Sequence, residues 1–371
     1  MKVTIERSTL LKALGHVQSV VERRNTIPIL SNVLLQAEGG ALALTATDLD
    51  IEIAEQVPAD VATPGAITAS ALTLYEIVRR LPEGTQVRLD TDGDDGRLKL
   101  SAGKSEFSLA VLPDQDFPTL TADEGGVHFT MPTDDLKRLI DKTRFAMSQE
   151  ETRYYLNGVY LHAQTEGEKS LRAVATDGHR LARLDAALPD GAADIPGVIV
   201  PRKAVTELRR LLDDAEETVE LLVSEAKIRF SSGDVTLTSK LIDGTFPDYA
   251  RVIPSDNDKT LKVDNADFSK AVDRVSTVSA DKTRSVKLML EADRMRLMVN
   301  NPETGTALEE INVDYGADAI EIGFNAKYLI DVAQQIDGGT ATFQFADPSS
   351  PTIIIDEEDD GALYVLMPLR V

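Results

Sequence analysis

Few side chains in this sequence stand at spacings that could do chemistry. Asp177-Gly178-His179 sets a carboxylate two residues from an imidazole, the groups general acid–base work requires. Such a pair could centre a monomeric hydrolase, but an acid and a histidine separated by glycine also suit a turn, which is the stronger reading. Asp90-Thr91-Asp92-Gly93-Asp94-Asp95-Gly96 has the carboxylate density of a calcium loop. Asp95 stands where that loop needs glycine and Ser101 where it needs glutamate, so the run reads as a hairpin turn. Asp356-Glu357-Glu358-Asp359-Asp360 could gather a cation, yet such runs are usually solvated loops. His16, His128 and His162 have no carboxylate or histidine at ligand spacing and are taken as structural. There is no cysteine, which removes disulfides, thiolate catalysis, zinc fingers and iron–sulfur clusters, and there is no Gly-x4-Gly-Lys-Ser/Thr phosphate loop. No catalytic residue, metal site or cofactor is expected.

The elements that would position these groups follow from composition and periodicity. The 371 residues, 42% hydrophobic and 27% charged, suffice for two or three soluble domains. Aromatic residues are only 5% and tryptophan is absent, which argues against a stacking platform for single strands. No apolar run approaches the roughly 18 residues of a membrane span. The opening Met1-Lys2-Val3-Thr4-Ile5-Glu6-Arg7 lacks a signal peptide's apolar block, so a cytoplasmic location is expected. A net charge of −23 argues against coating nucleic acid, unless the charge is unevenly placed.

A strand, a polar cap and an amphipathic helix recur three times. Val3-Thr4-Ile5 leads through Ser8 to Leu10, Leu11, Leu14, Val17 and Val21. Phe129-Thr130-Met131 leads through Thr133 to Leu136, Leu139 and Ile140, and Leu261-Lys262-Val263 through Asn265 to Phe268, Ala271, Val272 and Val275. In each copy the apolar period switches from two to three-and-four. Ala46-Thr47-Asp48 returns 129 residues later as Ala175-Thr176-Asp177, with Asn300-Asn301 at the matching place in the third copy. Leu112-Pro113 and Phe117-Pro118 return, again after 129, as Leu241-Ile242 and Phe246-Pro247. Second helices are predicted over 72–81, 204–212 and 328–336, and hairpin turns at Glu38-Gly39-Gly40 and Ser232-Gly233-Asp234. The fold class is therefore α+β, as three tandem copies of one domain with helices against antiparallel sheets, over 1–125, 126–254 and 255–371.

The charge is indeed uneven. The windows 8–24, 70–81, 133–145, 201–213, 265–284 and 325–336 hold 18 Lys and Arg against 11 Asp and Glu, leaving −30 for the rest. Helix propensity explains the cations but not the scarcity of glutamate beside them. Helices sharing one face would make a positive lining in a negative shell, suited to surrounding a duplex without gripping it.

Several long runs resemble one family. They are Thr26-Ile27-Pro28-Ile29-Leu30, Thr47-Asp48-Leu49, Arg153-Tyr154-Tyr155-Leu156-Asn157-Gly158, Ala175-Thr176-Asp177-Gly178-His179-Arg180-Leu181 and Ile199-Val200-Pro201-Arg202-Lys203. Ser239 to Tyr249 and the ending Tyr364-Val365-Leu366-Met367-Pro368-Leu369-Arg370-Val371 extend the match. The chain is similar to the beta sliding clamps of bacterial DNA polymerase III. The resemblance implies three alike domains per chain and two chains head-to-tail in a six-domain ring. It implies a non-enzymatic processivity factor that encircles duplex DNA without sequence preference. Its implied partners are the polymerase III catalytic subunit, the clamp loader, and other polymerases and repair proteins with short linear motifs. A peptide-binding scaffold unrelated to DNA remains an alternative.

The resemblance also implies three sets of site residues. On the DNA path stand Arg24, Arg153, Tyr154 and Tyr155, with Arg79, Arg80, Arg202 and Lys203 added from the positive windows; Tyr155 could equally be strand core, Tyr154 less so. Glu150 and Glu151 depart from the family pattern there and should weaken phosphate contact. A partner-peptide pocket would be walled by Leu156, Thr176, Gly178, His179, Arg180, Leu181, Pro247, Arg251, Val252, Val365, Met367, Pro368, Leu369 and Arg370. Its apolar floor would suit hydrophobic motifs, and Arg180, Arg251 and Arg370 could meet a peptide's carbonyls or acids. The tail is expected both to close a sheet and to present one face to this pocket. Phe107, Leu109 and Val278 would join the first domain of one chain to the third of its partner.

Overall fold

Among the described residues, six α-helices fall in the six predicted windows: α1 (Arg7–Gln18), α2 (Ala71–Arg80), α3 (Thr133–Asp141), α4 (Arg202–Leu211), α5 (Asn265–Ser276) and α6 (Ala326–Ala333). The structure is a computed structural model that describes residues 1–22, 26–91, 96–120, 125–279 and 284–370; Arg24 and the turn expected at 92–95 lie outside the described residues. Two helices are capped earlier than the sequence suggested. Glu6, not Ser8, caps α1 by accepting from the backbone N–H groups of Ser8 and Thr9 at 2.7 and 3.1 Å. Asp264, not Asn265, caps α5 by accepting from Asp267 N–H at 2.8 Å. Both caps place a carboxylate at the positive end of the helix dipole.

The chain divides into two compact units. The first comprises Met1–Lys137, Pro189–Pro196 and Lys203–Leu241. It contains a five-stranded antiparallel sheet in the order Asp60–Thr63, Lys2–Glu6, Gln86–Asp90, Leu98–Ala102, Ser105–Leu109. It also contains a nine-stranded sheet in which Ile51–Pro58, from the first sequence copy, pairs with Val235–Lys240 from the second. Helices α1 and α2 pack together and bury Leu10, Leu14 and Val17 with Leu74 and Val78.

The second unit comprises Arg138–Leu188, Gly197–Arg202 and Ile242–Val371. Its nine-stranded sheet makes the corresponding join: Arg180–Ala187, from the second copy, pairs with Ala362–Leu366 from the third. A four-stranded sheet runs Gly305–Asn312, Arg294–Asn301, Ser285–Glu291, Ile320–Asn325. Helices α5 and α6 pack together, and Phe268 meets Phe343 edge-on at 5.2 Å in the core.

The sequence repeat has a repeated geometry. Asp48 Oδ1 accepts from the N–H groups of Asp50 and Ile51 at 2.9 and 2.7 Å. Asp177 Oδ1 does the same for His179 and Arg180 at 2.9 and 3.0 Å, and Asn301 Oδ1 for Glu303 and Thr304 at 2.9 and 3.4 Å. These are three copies of one side-chain-closed turn. In the first two, a threonine hydroxyl adds a second bond, from Thr47 to Ile51 O at 2.8 Å and from Thr176 to Arg180 O at 2.6 Å. The chain reverses through φ +86 at Gly178 and φ +79 at Leu49. Leucine rarely adopts that conformation.

Two sequence expectations need correction. The acidic run 356–360 is only partly solvated: Glu357, Glu358 and Asp360 are exposed, but Asp356 and Asp359 are not. Asp356 is buried and accepts from the N–H groups of Asp337, Gly338 and Glu358 at 2.7, 2.9 and 3.1 Å. Although burial opposes ionisation, these donors hold its carboxyl below the usual range. Asp359, also buried, pairs with Arg138 and lies 4.0 Å from Lys142. His16 likewise has carboxylate partners: Nδ1 lies 2.7 Å from Glu55 and Nε2 3.1 Å from Asp214. Both partners are remote in sequence, so local spacing could not reveal them.

Candidate functional site

In the second unit, the pairing of Arg180–Ala187 with Ala362–Leu366 sets Leu181 opposite Val365. Beneath them Leu156, Val174, Ile199 and Phe246 form one buried apolar cluster. Leu156 ends the 3-10 turn Glu151–Leu156, so a tight turn delivers it to the edge of this cluster. The last strand stops at Leu366, and Met367 then donates its N–H to His179 O at 2.9 Å. Met367 is 40% exposed, so it is not core.

Leu156, Thr176, Gly178, Arg180, Leu181, Pro247, Val252, Val365 and Met367 line one cavity of about 270 Å³. The sequence reading therefore brought nine residues to one place. It missed Asp248 and Tyr249, which also line the cavity although they follow Pro247 directly. The other expected residues stand outside the lining. Exposed His179 contributes its backbone carbonyl, and Arg251 pairs with Asp248 at 2.7 Å. Leu369 donates its N–H to Gly323 O at 2.8 Å, with half-buried Pro368 before it and exposed Arg370 after it. A Cβ at Gly178 would lie 2.7 Å from the end of the Arg153 side chain, which can swing aside, so it is the φ of +86 that favours glycine.

Arg180 is not placed to meet a ligand's acids. It is buried, with Nε 3.1 Å from Asp177, one terminal nitrogen 2.5 Å from Asp331 and the other donating to Phe145 O at 2.6 Å. Its guanidinium also lies 4.3 Å from the Tyr328 ring centroid and 5.2 Å from that of Phe145. A buried charge so fully engaged holds the turn 177–180 against α6. Burial in turn pushes the Tyr328 phenol pKa up.

Comparison with known proteins settles the family. Three family models match in order: "DNA polymerase III beta subunit, N-terminal domain" over residues 1–121, "central domain" over 130–248 and "C-terminal domain" over 250–370. The chain belongs to the DNA polymerase III beta subunit family. The beta sliding clamp of Caulobacter vibrioides is 61% identical over 372 residues, covering 100% of both chains, and that of Escherichia coli 41% over 374 residues with the same coverage. A crystal structure of the Caulobacter crescentus beta sliding clamp superposes with a TM-score of 0.98 at 61% identity, covering 100% of this chain and 99% of that one. The sliding clamp of Bartonella birtlesii bound to griselimycin gives 0.97 at 49% identity, with 100% of both chains covered.

The beta sliding clamps are non-catalytic processivity subunits of the DNA polymerase III holoenzyme. The hydrolase reading falls with that. In this clamp-family chain Asp177 commits Oδ1 to two backbone N–H groups and Oδ2 to Arg180.

The residues read as DNA-facing have varied surroundings. Tyr154 is 54% exposed, and Tyr155 meets it edge-on at 5.8 Å while packing on the cluster beneath the cavity. Both sit on a 3-10 turn, not in a strand. Arg153 lies 3.2 Å from Glu150 and donates to Asp177 O at 3.3 Å, so the departing Glu150 partly neutralises it. Arg79 and Arg80 are exposed in the last turn of α2, both paired with Glu76. Arg202 opens α4 and donates its backbone N–H to Asn157 O at 2.9 Å. Lys203 pairs with Asp48 and donates to Val20 O at 3.0 Å. Much of the helical positive charge thus already has carboxylate neighbours within the chain.

Two sheet edges carry exposed apolar side chains. Phe107, with half-buried Leu109, lies on the edge strand Ser105–Leu109. Leu308, 65% exposed on the edge strand Gly305–Asn312, was missed by the sequence reading because its alternating pattern resembles any half-buried strand. Half-buried Val278 follows α5, and its carbonyl accepts the Thr304 hydroxyl.

Proposed function

We propose that two copies of this chain close head-to-tail around duplex DNA and carry replication and repair proteins on linear motifs seated in the Met367 cavity. The observation that carries the reading is that cavity: an apolar hollow on a family fold, rimmed by backbone and an exposed methionine. Each chain contributes three domains, over 1–125, 126–254 and 255–371. The polymerase III catalytic subunit, the clamp loader and other polymerases and repair proteins are the partners, with the cytoplasm as the location. Among the described residues no helix is long and apolar enough to cross a membrane. Arg24, Arg79, Arg80, Arg153, Tyr154, Tyr155, Arg202 and Lys203 face the duplex and touch it without reading its sequence. The hydrophobic motif binds Leu156, Thr176, Gly178, Leu181, Pro247, Val252, Val365 and Met367. His179, Arg251, Pro368, Leu369 and Arg370 extend the rim.

Ring closure pairs the edge strand Ser105–Leu109 of one chain with Gly305–Asn312 of the other. Unpaired edge strands seek such partners, and Phe107, Leu109, Val278 and Leu308 supply the apolar contact. Light scattering after gel filtration tests this. Wild type should have the mass of two chains, while Phe107→Asp and Leu308→Asp should each shift it to one. A wild-type monomer, or dimers that survive both changes, would contradict this closure.

A further inference from the structure

Behind one wall of the cavity lies a polar chain that the clamp reading does not use. Tyr249 lines the cavity at the start of the 3-10 turn Tyr249–Val252. Its hydroxyl is 2.9 Å from His162 Nε2 and accepts from Arg172 at 3.2 Å. Arg172 is in turn held by both oxygens of Asp185, at 2.7 and 3.1 Å. The register His162–Arg172–Asp185 runs straight across three neighbouring strands. Ala163 O, 3.2 Å from His162 Nδ1, can only accept, so Nδ1 carries the proton of the neutral ring and Nε2 accepts the Tyr249 O–H. Ring contacts fix the same group: His162 lies tilted against Tyr160 at 4.8 Å, and Tyr160 stacks on Phe246 at 4.8 Å.

We propose that His162 is a positioning residue for the cavity: neutral, it holds Tyr249 on the wall, and its protonation weakens the seating of an apolar peptide. This rests on the reading of the cavity as the motif pocket. A proton on Nε2 would turn the acceptor into a donor and leave the Tyr249 O–H without its partner. It would also set a second cation beside Arg172. Arg183, 3.4 Å from Asp185, adds positive charge from the next strand, and Asp185 is the carboxylate that both arginines share. Tyr160 and Tyr249 are the phenols on this face, and the neighbouring strand Val198–Pro201 carries no ionisable side chain. Burial, reinforced by Arg172, holds His162 below the ordinary imidazole range against the opposing Ala163 carbonyl and Asp185. A depressed histidine keeps its neutral-state bonds above the ordinary imidazole pKa and loses them as pH falls through its own.

The test is a titration with a fluorescent pentapeptide of leucine, phenylalanine and serine, acetylated and amidated so that no group of its own titrates. From pH 7.5 to about 5.5, wild-type affinity should fall about fivefold or more, the equivalent of one lost hydrogen bond. His162→Gln retains an acceptor for Tyr249 without a titrating group; it should bind like wild type at pH 7.5 and change less than about twofold at pH 5.5. Tyr249→Phe should be about fivefold weaker at pH 7.5 and equally flat. His128→Gln, which removes an exposed imidazole of the first unit, should keep the wild-type slope. Melting curves at pH 7.5 confirm that each variant is folded. Superimposable pH profiles for wild type and His162→Gln would overturn the role of His162 while leaving the pocket intact. A wild-type protein that bound no such peptide at either pH would overturn both.

Discussion

Met367 donates its backbone N–H to the carbonyl oxygen of His179 at 2.9 Å, and this bond carries the chain past its last strand with the methionine side chain on the cavity. The first unit repeats the bond, with Lys240 N–H on Asp50 O at 2.8 Å, but there a lysine occupies the methionine's place. One backbone geometry thus serves two different surfaces.

Because Met367 is exposed and outside the core, Met367→Ala should weaken a bound hydrophobic motif about tenfold with little change in melting temperature. Leu369→Ala should weaken it less, since Leu369 is not part of the lining. Fluorescence anisotropy and a thermal melt together check both statements. A large fall in melting temperature for Met367→Ala would instead assign the residue to the core.

Gly178 and Leu49 occupy matching turns at φ +86 and +79. Gly178→Ala puts a Cβ at that positive φ and should destabilise the fold by about 1–2 kcal/mol while reducing motif binding. Leu49→Gly should change stability by less than about 1 kcal/mol, because relief of backbone strain offsets the added freedom of the unfolded chain. Urea titrations of the two variants measure this contrast.

His16 lies between Glu55 and Asp214 in the first unit. Burial opposes its charge, but the two carboxylates outweigh burial and raise its pKa, despite Arg210 nearby. A raised histidine contributes stability that is full below its ordinary pKa and is lost as pH rises through the folded one. His16→Gln should therefore cost about 2 kcal/mol near pH 6 and markedly less near pH 9, as read by urea unfolding at both pH values. A pH-independent difference would mean that packing, not charge, accounts for the loss.

The repeat was legible because it is local, whereas the cavity, whose lining runs from Leu156 to Met367, was reached only through the family resemblance. Thr47-Asp48 and Thr176-Asp177 announce the same turn since their side chains bond two and three residues onward, within any sequence window. Helices appeared where apolar periodicity changed, although Glu6 displaced Ser8 as a cap. Pairings across the chain were not legible. His16 and Asp214 are 198 residues apart, Arg180 and Asp331 151, and Arg138 and Asp359 221. Periodicity says which face of an element is buried but not which charge from another element will meet it. For that reason Asp356 and Asp359 looked solvated, and Arg180 looked available to a ligand.

Retention on nicked circular DNA distinguishes topological linkage from phosphate binding. The protein is incubated with circles, a clamp loader and ATP, then gel-filtered before and after the circles are linearised. Protein that travels with circles at moderate salt and is lost once they are cut is the predicted result, since simple phosphate binding would weaken with salt but not depend on free ends. Equal retention on circular and linear DNA, or none on circles with an active loader, would contradict the account.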